Sequence, residues 1–244
     1  MGQAAKPKIK SLSFFFPCYN DKGTIGKLID DSVETAKILG IDDFEVIVTD
    51  DGSTDGAREF LAELLQTKPF LKVIFHDKNR GYGAALKSGF ARATKDWIFY
   101  TDGDGQYDVK ELVLLVDALE EGVDLVNGYK IKRQDTFERI ILGRLYQLCT
   151  KALFFLKIRD VECNFRLIKK SKMDQVKLKC NNGTACLELV KRLENAKAVM
   201  RQVPVHHYSR VYGESRAFTA KRIMDMIVSL IKLWWPLVVL KKTK

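Results

Sequence analysis

The sequence lacks an apolar run long enough to span a bilayer, and it lacks any cysteine pattern. Its five cysteines in 244 residues are odd in number and include no C-x-x-C pair. Neither a disulfide framework nor a zinc site is indicated, and a reducing cytoplasm is the default compartment. The longest apolar stretch, 227–240, is interrupted by Lys232 and Pro236, whereas a spanning helix takes about 20 apolar residues. Residues 1–13 are polar and basic, without the apolar centre of a signal peptide. Lys6 stands where a myristoylation pattern requires Ser or Thr. No internal repeat, low-complexity tract or obvious linker is present. Histidine is scarce too. His206 and His207 are adjacent at the end of an expected strand, where neighbours in extended chain point to opposite faces, which argues against a shared metal site.

What is present is a chain that is 46% apolar and 30% charged, ample for one large domain or two small ones. The net charge of +10 suits nucleic acid, anionic lipid or phosphorylated substrates without choosing among them.

The first half alternates two periodicities. Strands are expected at 9–16, 44–49, 71–75, 97–101 and 125–128. Helices are expected around 25–36, 57–65, 83–93 and 109–119. Such alternation predicts an α/β fold, a mostly parallel sheet with helices on both faces. The second half carries helical patterns at 137–157 and 185–195 and a strand at 199–205. It closes on an amphipathic helical stripe over 217–240, which includes Trp234-Trp235, and a lysine-rich end. The domain reading is a catalytic unit over 1–216 and an amphipathic basic segment over 217–244.

Acidic or glycine-rich loops follow consecutive strands. In open α/β sheets, ligands sit outside the carboxyl ends of the strands. Asp102-Gly103-Asp104 follows the apolar run Trp97 to Thr101, and two acids around one glycine suit a hard divalent cation that bridges phosphates. Asp and Gly are also ordinary turn formers. Pro17-Cys18-Tyr19-Asn20-Asp21 follows the first strand and Asp50-Asp51-Gly52-Ser53-Thr54-Asp55-Gly56 the second. Each suits a nucleoside, and each also suits a plain strand-to-helix turn, with Ser53 as a cap. Asn79-Arg80-Gly81-Tyr82-Gly83 follows the third strand, but Leu86 stands where a dinucleotide fingerprint needs its third glycine. Gly81 and Gly83 are expected to let backbone approach a ligand or the next strand.

Together these motifs resemble those of glycosyltransferase family 2, and within it the polyprenyl-phosphate transferases of the dolichol-phosphate mannose synthase type. The resemblance continues through Asp160 to Phe165-Arg166, Glu188, Val203-Pro204-Val205 and Arg210-x-x-Gly213-x-Ser215-Arg216, covering residues 12 to about 218. Three positions depart from the family pattern: Asp21 for Glu, Asn164 for Gly and Arg216 for Lys. No multi-span membrane tail of the kind several members carry is present.

The resemblance implies the nucleotide-diphospho-sugar transferase (GT-A type) fold and an inverting sugar transfer from a nucleoside diphosphate to a polyprenyl phosphate. It places the donor against Pro17, Tyr19, Asn20, Asp21, Asp50, Asp51, Ser53, Gly81, Gly83, Asp102 and Gly103. Arg210, Ser215 and Arg216 would form a loop closing over the diphosphate. Asp102, Asp104 and Gln106 would hold Mg²⁺ or Mn²⁺. A lipid phosphate, with a second pKa of about 6, needs cations for positioning more than it needs a base. Of Arg133, Arg139, Arg144, Arg166, Arg210 and Arg216, the expectation assigns Arg139 and Arg144 to the acceptor; a solvated helix face is the plain alternative. Asp160 and Glu188 would orient Arg166 or the sugar. Either would instead be the base if the acceptor were a hydroxyl of a glycan or glycolipid. The C-terminal stripe either packs on the domain or lies in the bilayer interface, with different turns able to do each. The expected location is cytoplasmic and peripheral on the membrane, and a separate membrane-spanning partner is a candidate substitute for the absent tail. A sugar-phosphate nucleotidyltransferase would carry a G-x-G-[ST]-R loop after the first strand, and this chain does not. A nucleic-acid-binding protein fits the charge, but acids clustered at strand ends repel phosphate.

Overall fold

The computed structural model describes residues 9–131, 137–213 and 220–244. The chain runs β1 (Ser11–Cys18), α1 (Lys22–Leu39), β2 (Asp43–Asp50), α2 (Ala57–Thr67), β3 (Leu71–Phe75), α3 (Tyr82–Arg92) and β4 (Trp97–Tyr100). A 3-10 turn (Val109–Glu111) leads into α4 (Leu112–Asp117), then β5 (Leu125–Ile131) and α5 (Phe137–Phe154). The remainder is β6 (Arg166–Lys169), α6 (Lys170–Met173), α7 (Ala185–Asn195), β7 (Met200–His206), α8 (Ala220–Trp234) and a π turn (Trp235–Val239).

The strands form one seven-stranded sheet in the order β3-β2-β1-β4-β6-β5-β7. β6 runs antiparallel to both its neighbours, β4 and β5, and every other pairing is parallel. The mostly parallel sheet is therefore as expected. The strand at Arg166–Lys169 was not: four residues with no alternation carry no periodic signal, and only pairing between β4 and β5 makes them a strand.

β1 is buried along its whole length, as a strand covered on both faces must be. Its phenylalanines alternate between two cores. Phe14 and Phe16 join the layer of α1, α2 and α4, where Phe14 meets Phe99 edge-on at 5.9 Å. Phe15 joins the layer of α3 and α7, 5.3 Å from Phe90. The chain order reverses on either side of β1, so the loops after β1 and β4 open a crevice at one sheet edge.

The C-terminal segment shares a core with the rest of the chain. Leu233 and Leu237 are buried with Leu187 and Val190 of α7 and with Phe154, Leu156 and Ile158. Asn195 Nδ2 donates to the Leu237 carbonyl at 2.9 Å, and the Lys177 N–H donates to the Thr243 carbonyl at 3.1 Å. Among the described residues no helix is long and apolar enough to cross a membrane.

Candidate active site

The loops beyond β1, β2, β3 and β4 surround a cleft of about 1150 Å³, large for a small-molecule site. The wall formed by the β1, β2 and β4 loops is knitted by hydrogen bonds between different loops. Asn20 sits in the left-handed region at φ 59°, a conformation Asn tolerates better than most residues. Its N–H donates to Ser53 Oγ at 2.9 Å, and its Oδ1 accepts from the Thr54 N–H at 2.7 Å. The Gly103 N–H donates to the Pro17 carbonyl at 3.1 Å, joining the β1 and β4 loops.

The β2 loop presents two acids to the cleft, Asp51 and Asp55, and Asp51 is the more deeply buried of the two. His76 Nδ1 lies 2.7 Å from its Oδ1, and His76 Nε2 lies 2.9 Å from Ser88 Oγ. The N–H groups of Arg80 and Gly81 donate to the same carboxylate at 2.9 and 2.8 Å. This latch shapes the glycine loop. Gly81 has φ +95°, and a Cβ there or on Gly83 would collide with the carbonyls of Asn181 and Cys180. The two glycines thus serve close backbone packing between this loop and the one before α7.

Asp102, Asp104 and Asp21 converge at the floor. Tyr82 Oη donates to Asp102 Oδ1 at 2.5 Å and Asn164 Nδ2 to Asp102 Oδ2 at 3.0 Å. Asp104 is buried; burial and the neighbouring Asp102 charge push its carboxyl up to about 7, against the pull of Arg210. Burial pushes Asp21 up to about 6. Arg210 Nη2 lies 2.6 Å from Asp104 Oδ2, and Nη1 lies 3.6 Å from Asp21 Oδ1. Asp21 Oδ1 is buried without a hydrogen-bond partner among the described residues. Crowded carboxylates that raise one another's pKa suit a cation. Among the described residues no three His, Cys, Asp or Glu side chains form a complete metal cage. A divalent cation here fits the mode in which one or two carboxylates bind it together with substrate phosphates and water. Gln106 also lines the cleft, but its Nε2 donates to the Tyr208 carbonyl at 3.0 Å.

The structure brings Pro17, Tyr19, Asn20, Asp21, Asp51, Gly81, Asp102, Gly103, Asp104, Gln106 and Arg210 to the cleft. It places others behind it. Asp50 is fully buried and turned away, accepting from the Ser53 N–H at 3.2 Å and from Arg58 Nη1 at 3.2 Å. Ser53 is spent on Asn20. Arg166 is fully buried beneath the floor, so it reaches neither substrate nor solvent. It donates to Asn127 Oδ1 and the Val161 carbonyl, each at 2.5 Å, and to Tyr100 Oη. Tyr100 Oη donates to Asn164 Oδ1 at 3.1 Å, so Arg166 steadies Asp102 through Asn164. Glu188 is fully buried, accepting from the N–H groups of Lys179 and Cys180 and paired with Arg192 at 2.7 Å. That is a fold-bearing role, away from the cleft. Asp160 accepts from the Glu162 N–H at 3.1 Å and lies 3.8 Å from Lys130 Nζ, outside the lining. Arg133, Ser215 and Arg216 lie outside the described residues, as do the side chains of Arg139 and Arg144.

Sequence reasoning left His76 at the end of the third strand without a partner, and it missed Tyr82, Asn164 as the Asp102 partner, and Glu162, which lines the cleft. His76 carried the one usable signal. It directly follows the residue that pairs with Asp50, which sets it beside Asp51.

The comparisons with known proteins agree with this architecture. The fold is that of the GT-A type nucleotide-diphospho-sugar transferases. Glucosyl-3-phosphoglycerate synthase from Mycobacterium tuberculosis, solved with Mn²⁺, uridine diphosphate and phosphoglyceric acid, superposes with a TM-score of 0.68. The match is 18% identical and covers 94% of this chain and 79% of that one. The same synthase with Mg²⁺ and uridine diphosphate gives 0.67 at 15% identity, over 92% of this chain and 79% of that one. Residues 13–193 match the model of glycosyl transferase family 2, and the chain belongs to that family. Among curated proteins it is similar to the undecaprenyl-phosphate 4-deoxy-4-formamido-L-arabinose transferase of Enterobacter sp. (strain 638). The two are 28% identical over 225 residues, which is 91% of this chain and 67% of that protein.

Proposed function

We propose that this protein transfers a sugar, with inversion, from a nucleoside diphosphate to a polyprenyl phosphate at the cytoplasmic face of a membrane. The observation that carries the reading is the continuity of the cleft. Its floor holds the acid cluster, and its far wall includes Asp225, Ser229 and Lys232 of α8, a helix that also exposes apolar side chains. The similarity to an undecaprenyl-phosphate transferase supports the same acceptor class.

Asp51 and Tyr19 hold the nucleoside. Asp102 and Asp104 hold Mg²⁺ or Mn²⁺, as the ions bound by the mycobacterial synthase support. The cation, when bound, neutralises charge developing on the leaving diphosphate. Tyr82 and Asn164 orient Asp102, and Arg210 exchanges its carboxylate partners for the diphosphate. Arg139 and Arg144 remain assigned to the acceptor side, with Ser215 and Arg216 on the closing loop.

Membrane attachment rests on paired apolar helices. Leu145, Leu148 and Leu153 of α5 and Ile227, Ile231 and Trp235 of the C-terminal segment are exposed. Trp234 Nε1 donates to the Leu153 carbonyl at 3.0 Å and ties the two together. Lys241, Lys242 and Lys244 supply charge for anionic lipid.

One observation favours a second reading. Glu162 is a carboxylate in the lining, the group a hydroxyl acceptor would need as its base. The test is a product assay with membrane lipid extract, Mg²⁺ or Mn²⁺ and a panel of radiolabelled nucleoside diphosphate sugars. The expected product partitions into organic solvent and releases its sugar in mild acid. Transfer only to an added glycan would overturn the polyprenyl phosphate reading in favour of the second.

A further inference from the structure

α8 and the turn after it present three different faces. Leu233 and Leu237 are buried on α7. Met224, Ile227, Ile231 and Trp235 are exposed. Asp225, Ser229 and Lys232 line the cleft, and their spacing of four and then three residues makes them one stripe of the helix. Asn182 fixes the orientation of that stripe. Its Nδ2 donates to Ser229 Oγ at 2.9 Å and to the Asp225 carbonyl at 3.2 Å. Its neighbour Asn181 accepts from the Gly83 N–H at 2.8 Å. The stripe is thereby held against the glycine loop that Asp51 latches.

We propose that Lys232 binds the phosphate of the acceptor. The inference rests on the polyprenyl phosphate reading and assigns it a residue. Of the other cations lining the described cleft, Arg210 and Lys130 have nearer partners. Arg210 faces Asp104 and Asp21. Lys130 Nζ donates to the Glu162 carbonyl at 3.2 Å. Arg80 is exposed on the loop after β3, where only its backbone N–H is held by Asp51. Lys232 alone among these comes from a helix whose adjacent face is apolar and exposed. An amphiphile places its phosphate where its hydrocarbon chain begins, at the seam between such a face and a polar cleft. A lysine ammonium there is a compact point charge with three donors, suited to a phosphate monoester that enters from the side. Its charge adds attraction that a free polyprenol would not receive.

The test measures steady-state kinetics with geranyl phosphate as a water-soluble acceptor, without membranes, so that lipid surface charge plays no part. Lys232→Gln is expected to raise the acceptor KM about tenfold or more, the loss typical of a charge-assisted hydrogen bond. The donor KM is expected to stay within about twofold, and Lys232→Arg is expected to recover most of the affinity. Because Lys232 is exposed, the variants are expected to melt with the wild type. An unchanged acceptor KM in Lys232→Gln, or a loss seen only on anionic vesicles, would overturn the assignment while leaving the function standing. A wild-type enzyme that transfers sugar to no prenyl phosphate would overturn the function itself and the assignment with it.

Discussion

Replacing Glu188 with Gln separates a base from a structural anchor. Both Glu188 and Arg192 are fully buried, with their charged groups 2.7 Å apart. The carboxylate also accepts from the N–H of Lys179 at 3.0 Å and of Cys180 at 2.8 Å. The amide keeps the shape but leaves the guanidinium without its counter-charge, and it turns an NH₂ toward groups that are themselves donors. Removing one partner of a buried ion pair costs about 3–5 kcal/mol. For a domain of this size each kcal/mol moves Tm by about 2–4 °C, so a fall of roughly 6–20 °C is expected. Arg192 Nη1 also donates to the Lys242 carbonyl at 3.4 Å, so the C-terminal tail should loosen early, as hydrogen exchange would reveal. Turnover by the folded fraction, measured below the new Tm, should stay within a few-fold of wild type. The reverse pattern, an unchanged Tm with a loss of about 10²–10⁴ in kcat, would refute the structural role and restore Glu188 as a base.

Two further predictions concern the acid cluster and the apolar face. Asp104 and Asp21 have pKa values raised to about 7 and about 6 in the folded protein. Raised carboxylate pKa values stabilise the fold fully below the unfolded value near 3.8 and lose that contribution as pH rises through 6 to 7. Metal needs the ionised forms, so Mn²⁺ affinity measured by calorimetry should rise with pH across the same window and level off above it. A flat profile from pH 5 to 8 would refute the link. Trp235→Ser combined with Ile231→Ser should reduce flotation with vesicles containing anionic lipid, since both side chains are exposed and apolar. Undiminished flotation would show that another surface holds the membrane.

Local chemistry determined much of this protein without any coordinates. The apolar Phe14-Phe15-Phe16 run read as a strand, and the alternation of strand and helix around it called for cover on both faces. The acids after it, after β2 and after β4 could only meet at one sheet edge, because parallel strands end on the same side. Asp102, Asp104, Asp21 and Asp51 were legible for that reason. Tertiary structure decided which side chains of those loops face the cleft. Asp50 and Asp51 are adjacent, yet one turns to Arg58 and the other to the cleft, because successive residues of an extended chain point opposite ways. Arg166 read as a substrate cation until β6 was found between β4 and β5, which buries it under Asn164. Glu188 read as a candidate base until α7 set Arg192 one turn away on the same face. For the end of the chain, the division falls within one helical segment. Its helical period was visible in the sequence, but only packing on α7 could assign Leu233 and Leu237 to a core, Ile231 and Trp235 to the outside, and Lys232 to the cleft.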